Sequence, residues 1–146
     1  MNDCRPGFQV VNLWATSSAP ADLAAGDGID KVSGVAPPHG GTVFRIIDIP
    51  PESSDPEETR RRIQATFSAN FPDAHRHVDT QEHPGRHKTD SIDYALVLEG
   101  EIYAVFETGE TLMKAGDVLI QRGTRHLWAN RSGRVMRLAC VLVSAA

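Results

Sequence analysis

The sequence has little of the residue that builds disulfide frameworks. It contains two cysteines, Cys4 near the amino terminus and Cys140 inside an apolar run. Two cysteines in these positions predict neither a disulfide-stapled domain nor a cysteine-based zinc site, and they favour a reducing compartment. We therefore expect a cytoplasmic protein.

Long apolar runs and an excess of basic charge are also missing. No window approaches the roughly 18 apolar residues of a transmembrane helix, and the start, MNDCRPGFQVVNLW, lacks the basic and then apolar pattern of a secretory signal. The 15 lysines and arginines against 19 aspartates and glutamates give a formal net charge of -4, which disfavours binding to polyanions. These absences predict that neither a membrane nor a nucleic acid is a partner.

The residues that are present favour strands. The length of 146 residues suits one domain, and we expect residues 1–146 to fold as one. Residues 8–14 and 42–49 are rich in β-branched and aromatic side chains and predict two strands, separated by an extended loop over residues 15–41 that is rich in Gly, Pro, Ser and Ala. From Ile92 onward, short apolar runs alternate with turn signals, which predicts an all-β sandwich or barrel.

One short helix is predicted at residues 55–71. Asp55 is a suitable N-cap, Pro56 suits the first helical position, and Ile63 and Phe67 share one face at a spacing of four residues.

Two segments carry a resemblance to a known family. The segment AGDVLIQRGTRHLWAN, residues 115–130, has a Gly-Asp turn, an apolar strand, a second Gly turn, and then His126 and Asn130. This order resembles the second motif of the cupin superfamily. The first cupin motif is His-x-His, three or four residues, Glu, six residues and Gly. Counted back from Gly100, it is similar to a stretch that places His87 at the first His, Thr89 at the second and Asp93 at the Glu.

The resemblance implies a fold and a metal site. Cupins are jelly-roll barrels, also described as a double-stranded β-helix, so the resemblance implies a core barrel at about residues 84–143, with the N-terminal strands, the long loop and the helix in residues 8–71 as additions. The sequences of both motifs resemble those of a group of small single-domain cupins. Metal cupins use three His and one Glu, which leaves His87, Asp93 and His126 here as ligands for one divalent ion: iron, manganese, nickel or zinc. Two histidines and one carboxylate also form the ligand set of non-haem iron(II) oxygenases.

A metal-free alternative uses the same residues. His87 or His126 acts as the general acid or base, Asp93 orients the imidazole or stabilises its charge, and the Thr89 hydroxyl positions the substrate. This arrangement suits isomerisation, dehydration, cyclisation or decarboxylation of a small polar molecule.

Five further side chains are candidates for substrate binding. Arginines are suited to gripping an acidic substrate, and aromatic side chains to lining a cavity; alternatively, they face solvent or the core. These candidates are Arg45, Arg122, Arg137, Tyr94 and Trp128.

The sequence leaves three functional hypotheses open. The first is an enzyme that acts on a small polar or acidic molecule in the barrel. The second is a binding or sensing module that holds such a ligand without turning it over. The third is a structural role, in which the N-terminal strand covers an exposed sheet edge in a homodimer.

Overall fold

The computed structural model describes residues 5–77 and 83–146, so Cys4 lies outside the described residues. Within these ranges the chain forms eight strands and two helices. The strands are β1 (Gln9–Thr16), β2 (Thr42–Ile49), β3 (Ser91–Glu99), β4 (Glu101–Phe106), β5 (Gly109–Lys114), β6 (Val118–Arg122), β7 (Leu127–Ala129) and β8 (Met136–Ser144). The helices are α1 (Pro56–Asn70) and a single turn, α2 (Ala74–His77).

The strands form two antiparallel sheets, which confirms the predicted all-β fold. The larger sheet has the order β1-β2-β8-β3-β6 and the smaller one the order β5-β4-β7. Strand β2 pairs with β8 along its whole length, from Thr42 opposite Val143 to Ile49 opposite Met136. The N-terminal strands, predicted as additions to the barrel, are therefore part of its larger sheet. There they cover the edge that β8 would otherwise expose.

The main core lies between the two sheets. Val97 and Leu138 from the larger sheet and Ile102 from the smaller one are almost completely shielded from solvent. Gly100, which joins β3 to β4, has a φ of +79°, and an added Cβ would lie 3.1 Å from the Met136 Cα. Only glycine combines this conformation with so close an approach of backbone, so the turn fixes how one sheet folds over the other.

Helix α1 begins and ends within one residue of its predicted bounds. The Asp55 side chain accepts a hydrogen bond from the Glu57 N–H at 3.0 Å and caps the helix, and Pro56 occupies its first turn. Ile63 is buried on the face that meets the larger sheet's cavity. None of the helices in the described ranges has the length and apolar character needed to span a bilayer.

The loop before β2 is ordered where it approaches the barrel. A 3-10 turn covers Ile29–Lys31. Further along, the Asp73 carboxylate, just after helix α1, accepts hydrogen bonds from the Val35 N–H at 2.8 Å and the Ala36 N–H at 3.2 Å. The predicted extended loop is therefore held to the rest of the molecule by a side chain almost forty positions away.

Candidate functional site

A cavity lies between the inner face of the larger sheet and helix α1. Its volume is about 80 Å³, which corresponds to roughly half a dozen water positions at about 10–15 Å³ each. Most of its wall is apolar, and the helix contributes Ile63 and Phe67 to it. The polar and titratable side chains in the wall are Arg5, Arg45, His87, Thr89, Asp93, Gln121, His126 and Cys140. An apolar cavity with a few convergent polar groups is the usual form of a small-molecule site.

The two motif histidines meet at a backbone bridge. The His87 N–H donates to the His126 carbonyl at 2.9 Å, and the His126 N–H donates to the His87 carbonyl at 3.1 Å. Their ring centroids are 4.3 Å apart in an edge-to-face arrangement. Gly123, with a φ of +63°, makes the turn that brings the chain back to this bridge. The two cupin-like motifs, separate in sequence, are thus joined at the cavity.

Both imidazoles are held in one tautomer. The Nδ1 atom of His87 lies 2.9 Å from the Gly85 carbonyl, and that of His126 lies 2.7 Å from the Thr124 carbonyl. Because a carbonyl oxygen only accepts hydrogen bonds, each neutral ring carries its hydrogen on Nδ1 and keeps a lone pair on Nε2.

Burial keeps these rings neutral. The pKa of His126 is lowered to about 3, mainly by burial and also by the neighbouring His87, while the hydrogen bond to the Thr124 carbonyl opposes the shift. Burial also lowers the pKa of His87. At neutral pH both rings are therefore uncharged hydrogen-bond acceptors.

Asp93 ends a chain of hydroxyl groups on the inner face of β3. The Thr89 and Ser91 hydroxyl oxygens lie 2.7 Å apart, and Ser91 donates to Asp93 Oδ1 at 2.5 Å. The three residues face the same side because side chains alternate along a strand. Burial raises the pKa of Asp93, and this effect is opposed by the Ser91 hydrogen bond and by the charge of Arg45.

Arg45 lies inward on β2, buried under the ordered loop. Its two terminal nitrogens donate to the Val35 carbonyl at 3.2 Å and the Gly34 carbonyl at 3.1 Å. Within the described part of the chain its Nε is buried without a hydrogen-bond partner. Arg45, a predicted substrate contact, therefore lies in the cavity wall with one donor still unpaired.

Gln121 is a cavity residue that the sequence reasoning missed. It lies on β6 directly opposite Asp93 in the register, and it is 3% exposed. Neither its amide nitrogen nor its amide oxygen has a hydrogen-bond partner among the described residues. Leaving such a group unpaired costs about 1–3 kcal/mol. Strand alternation finds it only once the register of β3 and β6 is known, since a residue that pairs with an inward Asp93 must itself face inward.

The other predicted contacts divide into two groups. Trp128 lines the cavity, with its ring 5.8 Å from that of His126. Tyr94, Arg122 and Arg137 are exposed and lie outside the cavity. The physical reason is again alternation, because each follows or precedes an inward residue on its strand. Arg137 instead forms a bidentate ion pair with Asp48 at 2.8 and 3.0 Å.

Asn130 of the second motif is structural. It is fully buried, and its Nδ2 donates to the Ile49 carbonyl at 2.8 Å and to the Arg134 carbonyl at 2.9 Å. These bonds tie the end of β2 to the turn before β8.

The predicted metal ligands do not form a three-donor site. In residues 5–77 and 83–146, no three side chains among His, Cys, Asp and Glu come together as a metal ion requires. His87 and His126 meet, but Asp93 Oδ1 is bound by Ser91, and Thr89 offers a hydroxyl where metal cupins have a histidine. The arrangement therefore does not fit the metal implied by the family motif.

Comparisons with known proteins relate this chain to curated fungal proteins. No family model matches the sequence. The chain is 35% identical over 127 residues to the "Phomopsin biosynthesis cluster protein C'" of Diaporthe leptostromiformis, covering 82% of this chain and 51% of that protein. It is 27% identical over 125 residues to the "Cupin-domain-containing oxidoreductase srdD" of Neurospora crassa, covering 83% of this chain and 49% of that protein. The chain thus spans about half the length of these curated relatives.

The fold has solved counterparts. The structure of a Cupin 2 conserved barrel domain protein from Salinispora arenicola CNS-205 matches with a TM-score of 0.51 at 12% identity, covering 94% of this chain and 76% of that one. The two-sheet barrel of this chain is therefore a cupin fold, and its sequence is similar to that of a cupin-domain-containing protein.

Proposed function

We propose that this chain is an enzyme that binds a small polar organic molecule in the cavity and transfers a proton to or from it through Asp93. The observation that carries the proposal is the position of Asp93, a buried carboxyl group in the wall of a small cavity with a raised pKa. A carboxyl group with a raised pKa keeps its proton to a higher pH than an exposed one, which suits general acid-base catalysis.

Asp93 suits this role better than the histidines named from the sequence. A pKa of about 3 for His126 means that its ring holds an extra proton only weakly. Such a ring accepts a hydrogen bond at neutral pH and does not remove a proton efficiently. We therefore assign the proton transfer to Asp93 and the positioning of substrate N–H or O–H groups to the Nε2 atoms of His87 and His126.

The hydroxyl chain supports the ionised state of Asp93. When the carboxylate is ionised, Ser91 stabilises it by donating to Oδ1, while the hydroxyl of Thr89 lies within hydrogen-bonding distance of Ser91. Oδ2 then takes a proton from one substrate atom and returns it to another, so the reaction needs no oxidant. Isomerisation is the simplest such outcome, and dehydration or decarboxylation follows when the substrate carries a leaving group.

Non-haem iron chemistry and ligand binding without turnover are the alternatives. The relative from Neurospora crassa is named an oxidoreductase, but the donor groups described here do not fit a three-ligand metal site, so no step is routed through a metal. Metal analysis of the protein expressed with added iron tests this point, since stoichiometric iron that is lost in His126→Ala would favour the oxygenase.

Deuterium exchange tests the proposed chemistry while the substrate is still unidentified. The wild type is incubated with a mixture of small organic acids, amides and ketones in heavy water, and mass spectrometry follows the gain of one deuteron. We expect exchange with the wild type and at least a hundredfold less with Asp93→Asn. Asp30→Asn, an exposed carboxylate far along the loop, is the matched control. Ligand binding with no exchange by the wild type would favour the non-catalytic module.

We also propose that a second copy of the chain covers the outer face of the larger sheet. The register aligns two apolar rows that cross all five strands. One row is Trp14, Phe44, Val141, Tyr94 and Ile120, and the other is Val11, Ile46, Ala139, Leu96 and Val118. Five strands span roughly 24 Å, comparable with the width of a standard interface of about 800 Å² per partner.

A uniformly apolar patch suits a two-fold dimer. In such a dimer the same patch meets itself, so it must be its own complement, and uncharged rows meet this condition without matched charges. Light scattering coupled to gel filtration is expected to show a dimer that Ile120→Lys converts to a monomer. Leu23→Lys, which changes an exposed apolar residue in the loop, is expected to leave the dimer intact. A monomeric wild type at high concentration would end this proposal.

A further inference from the structure

We propose that Gln121 selects ligands that carry an N–H group beside a C=O group on one planar unit, as in a lactam or another cis-amide. The inference rests on the proposed function, because it requires that the cavity binds a small molecule. It adds the chemical class of that molecule and names the residue that recognises it.

The side chain of Gln121 is buried with both polar atoms unpaired within the described part of the chain. It is 3% exposed, lines the cavity, and has both amide atoms without a hydrogen-bond partner among the described residues. Buried side-chain amides are nearly always paired in folded proteins. A side chain that is buried yet unpaired on both atoms, in the wall of a cavity, is therefore suited to a ligand that supplies both missing partners.

The geometry of the Gln121 amide defines the shape of the missing partner. A glutamine amide presents a donor and an acceptor side by side in one plane. A cis-amide presents the complementary pair, with its C=O toward Nε2 and its N–H toward Oε1, and forms two parallel hydrogen bonds. Ketones and ethers supply acceptors only, so they leave Oε1 unpaired.

A carboxylate fits Gln121 less well than a cis-amide. A carboxylate has acceptors only, so one of its oxygens would face Gln121 Oε1, and the whole group would lie near Asp93, which is opposite Gln121 in the register. The terminal nitrogens of Arg45 each donate one hydrogen bond, to the Val35 and Gly34 carbonyls, which ties this guanidinium to the loop. Its Nε and the Nη2 of Arg5, in the same wall, are buried without a partner among the described residues, so an anion is the competing occupant and butyrate is the probe that tests it.

The test uses three probes of similar size: 2-pyrrolidinone, which has both groups, cyclopentanone, which has only the carbonyl, and butyrate, which is an anion. Each is titrated into the ¹⁵N-labelled protein and followed by NMR. We expect 2-pyrrolidinone to bind about tenfold more tightly than cyclopentanone and to shift the side-chain amide signal of Gln121.

Variants assign the effect to the residue. Gln121→Met keeps the length of the side chain and is expected to remove the tenfold preference. Gln121→Leu also removes both hydrogen-bonding atoms, and it is expected to do the same if the first variant folds poorly. Gln64→Met, on the exposed face of helix α1, is the matched control and is expected to keep the preference.

The outcomes separate this inference from the proposed function. Equal affinity for 2-pyrrolidinone and cyclopentanone, tighter binding of butyrate, or a preference that survives in Gln121→Met overturns the inference, as does a lack of binding by 2-pyrrolidinone. If cyclopentanone still shifts the backbone signals of cavity residues, the cavity remains a ligand site. Deuterium exchange that depends on Asp93 would likewise keep the proposed function when the inference fails.

Discussion

The two faces of the larger sheet reverse the usual distribution of polarity. On the inner face Arg45, Asp93 and Gln121 are almost completely buried, whereas on the outer face Trp14 and Ile120 are 51% and 49% exposed. Burial of apolar surface is the main favourable term in folding, so neither face follows from the stability of this chain alone. The difference underlies both proposals, a small ligand at the inner face and a second copy of the chain at the outer face.

The inner face itself is divided along the strands. At one end Val97, Met136 and Leu138 pack against the smaller sheet and form the main core. Toward the other end, Asp93 and Gln121 line the cavity instead. The packed end stabilises the barrel and offsets the cost of keeping unpaired polar groups at the cavity end.

The largest change in stability is expected when a side chain at the packed end of the inner face is truncated, compared with a truncation on the outer face. Leu138→Ala should lower the free energy of unfolding by about 2–5 kcal/mol, because Leu138 is fully buried and its truncation leaves a cavity. Ile120→Ala on the outer face should cost less than about 1 kcal/mol in the monomer. Urea denaturation at low protein concentration measures both, and equal losses would mean that the outer face is already packed within one chain.

The next effect concerns the cavity end and depends on pH. The pKa of His126 is lowered to about 3 in the folded chain, whereas in the unfolded chain it is about 6.5. As pH falls from 7 to 5, the unfolded state gains a proton that the folded state does not, so the wild type should lose about 2 kcal/mol relative to His126→Gln. Parallel stability curves for the two proteins would show that the ring is solvated.

A smaller effect with the opposite sign is expected for Asp93. Its pKa is raised in the folded chain, so its contribution to stability is complete below the unfolded pKa of about 3.9 and is lost as pH rises through the folded pKa. Asp93→Asn, whose Oδ1 still accepts from Ser91, should therefore be more stable than the wild type at pH 7. Thermal denaturation should show the two proteins converging toward pH 3.5, and a wild type that stays more stable at pH 7 contradicts this.

The smallest effect is expected at the border of the outer face. Arg137 is half exposed and pairs with Asp48, and exposed pairs of this kind contribute about 0–1 kcal/mol. Arg137→Ala should change the free energy of unfolding by less than about 1 kcal/mol, and high salt should reduce the difference further. A larger loss in urea denaturation would indicate that this border is covered in solution.

The fold was predictable because local signals agreed with the tertiary arrangement. Asp55 and Pro56 marked the start of helix α1, and the alternating run after Ile92 marked the strands of both sheets. The place of β1 and β2 in the larger sheet was not predictable, because strand pairing across nearly a hundred residues leaves no local pattern. The same holds for the contact of Asp73 with the loop at Val35.

The site was predictable only where a motif identified it. His87, Thr89, Asp93 and His126, which the motif spacing named, line one cavity, and their roles stay predictions. Gln121 and Arg122 are adjacent in sequence. Arg122 was predicted to bind substrate because of its charge, whereas Gln121 is the residue that faces the cavity. Which of two neighbours faces inward depends on register, and the register became visible only once β3 and β6 were paired.

The hydrogen bonds of Asp73 connect the cavity to a loop outside it, where ligand binding can be measured. Asp73 binds the backbone N–H groups of Val35 and Ala36, and the Gly34 and Val35 carbonyls in turn hold Arg45 in the cavity wall. A ligand that contacts Arg45 Nε is therefore connected through these hydrogen bonds to the loop at Val35 and Ala36. Hydrogen-deuterium exchange at the Val35 and Ala36 amides should slow when the cavity is filled, so occupancy can be followed from outside the barrel without labelling the ligand.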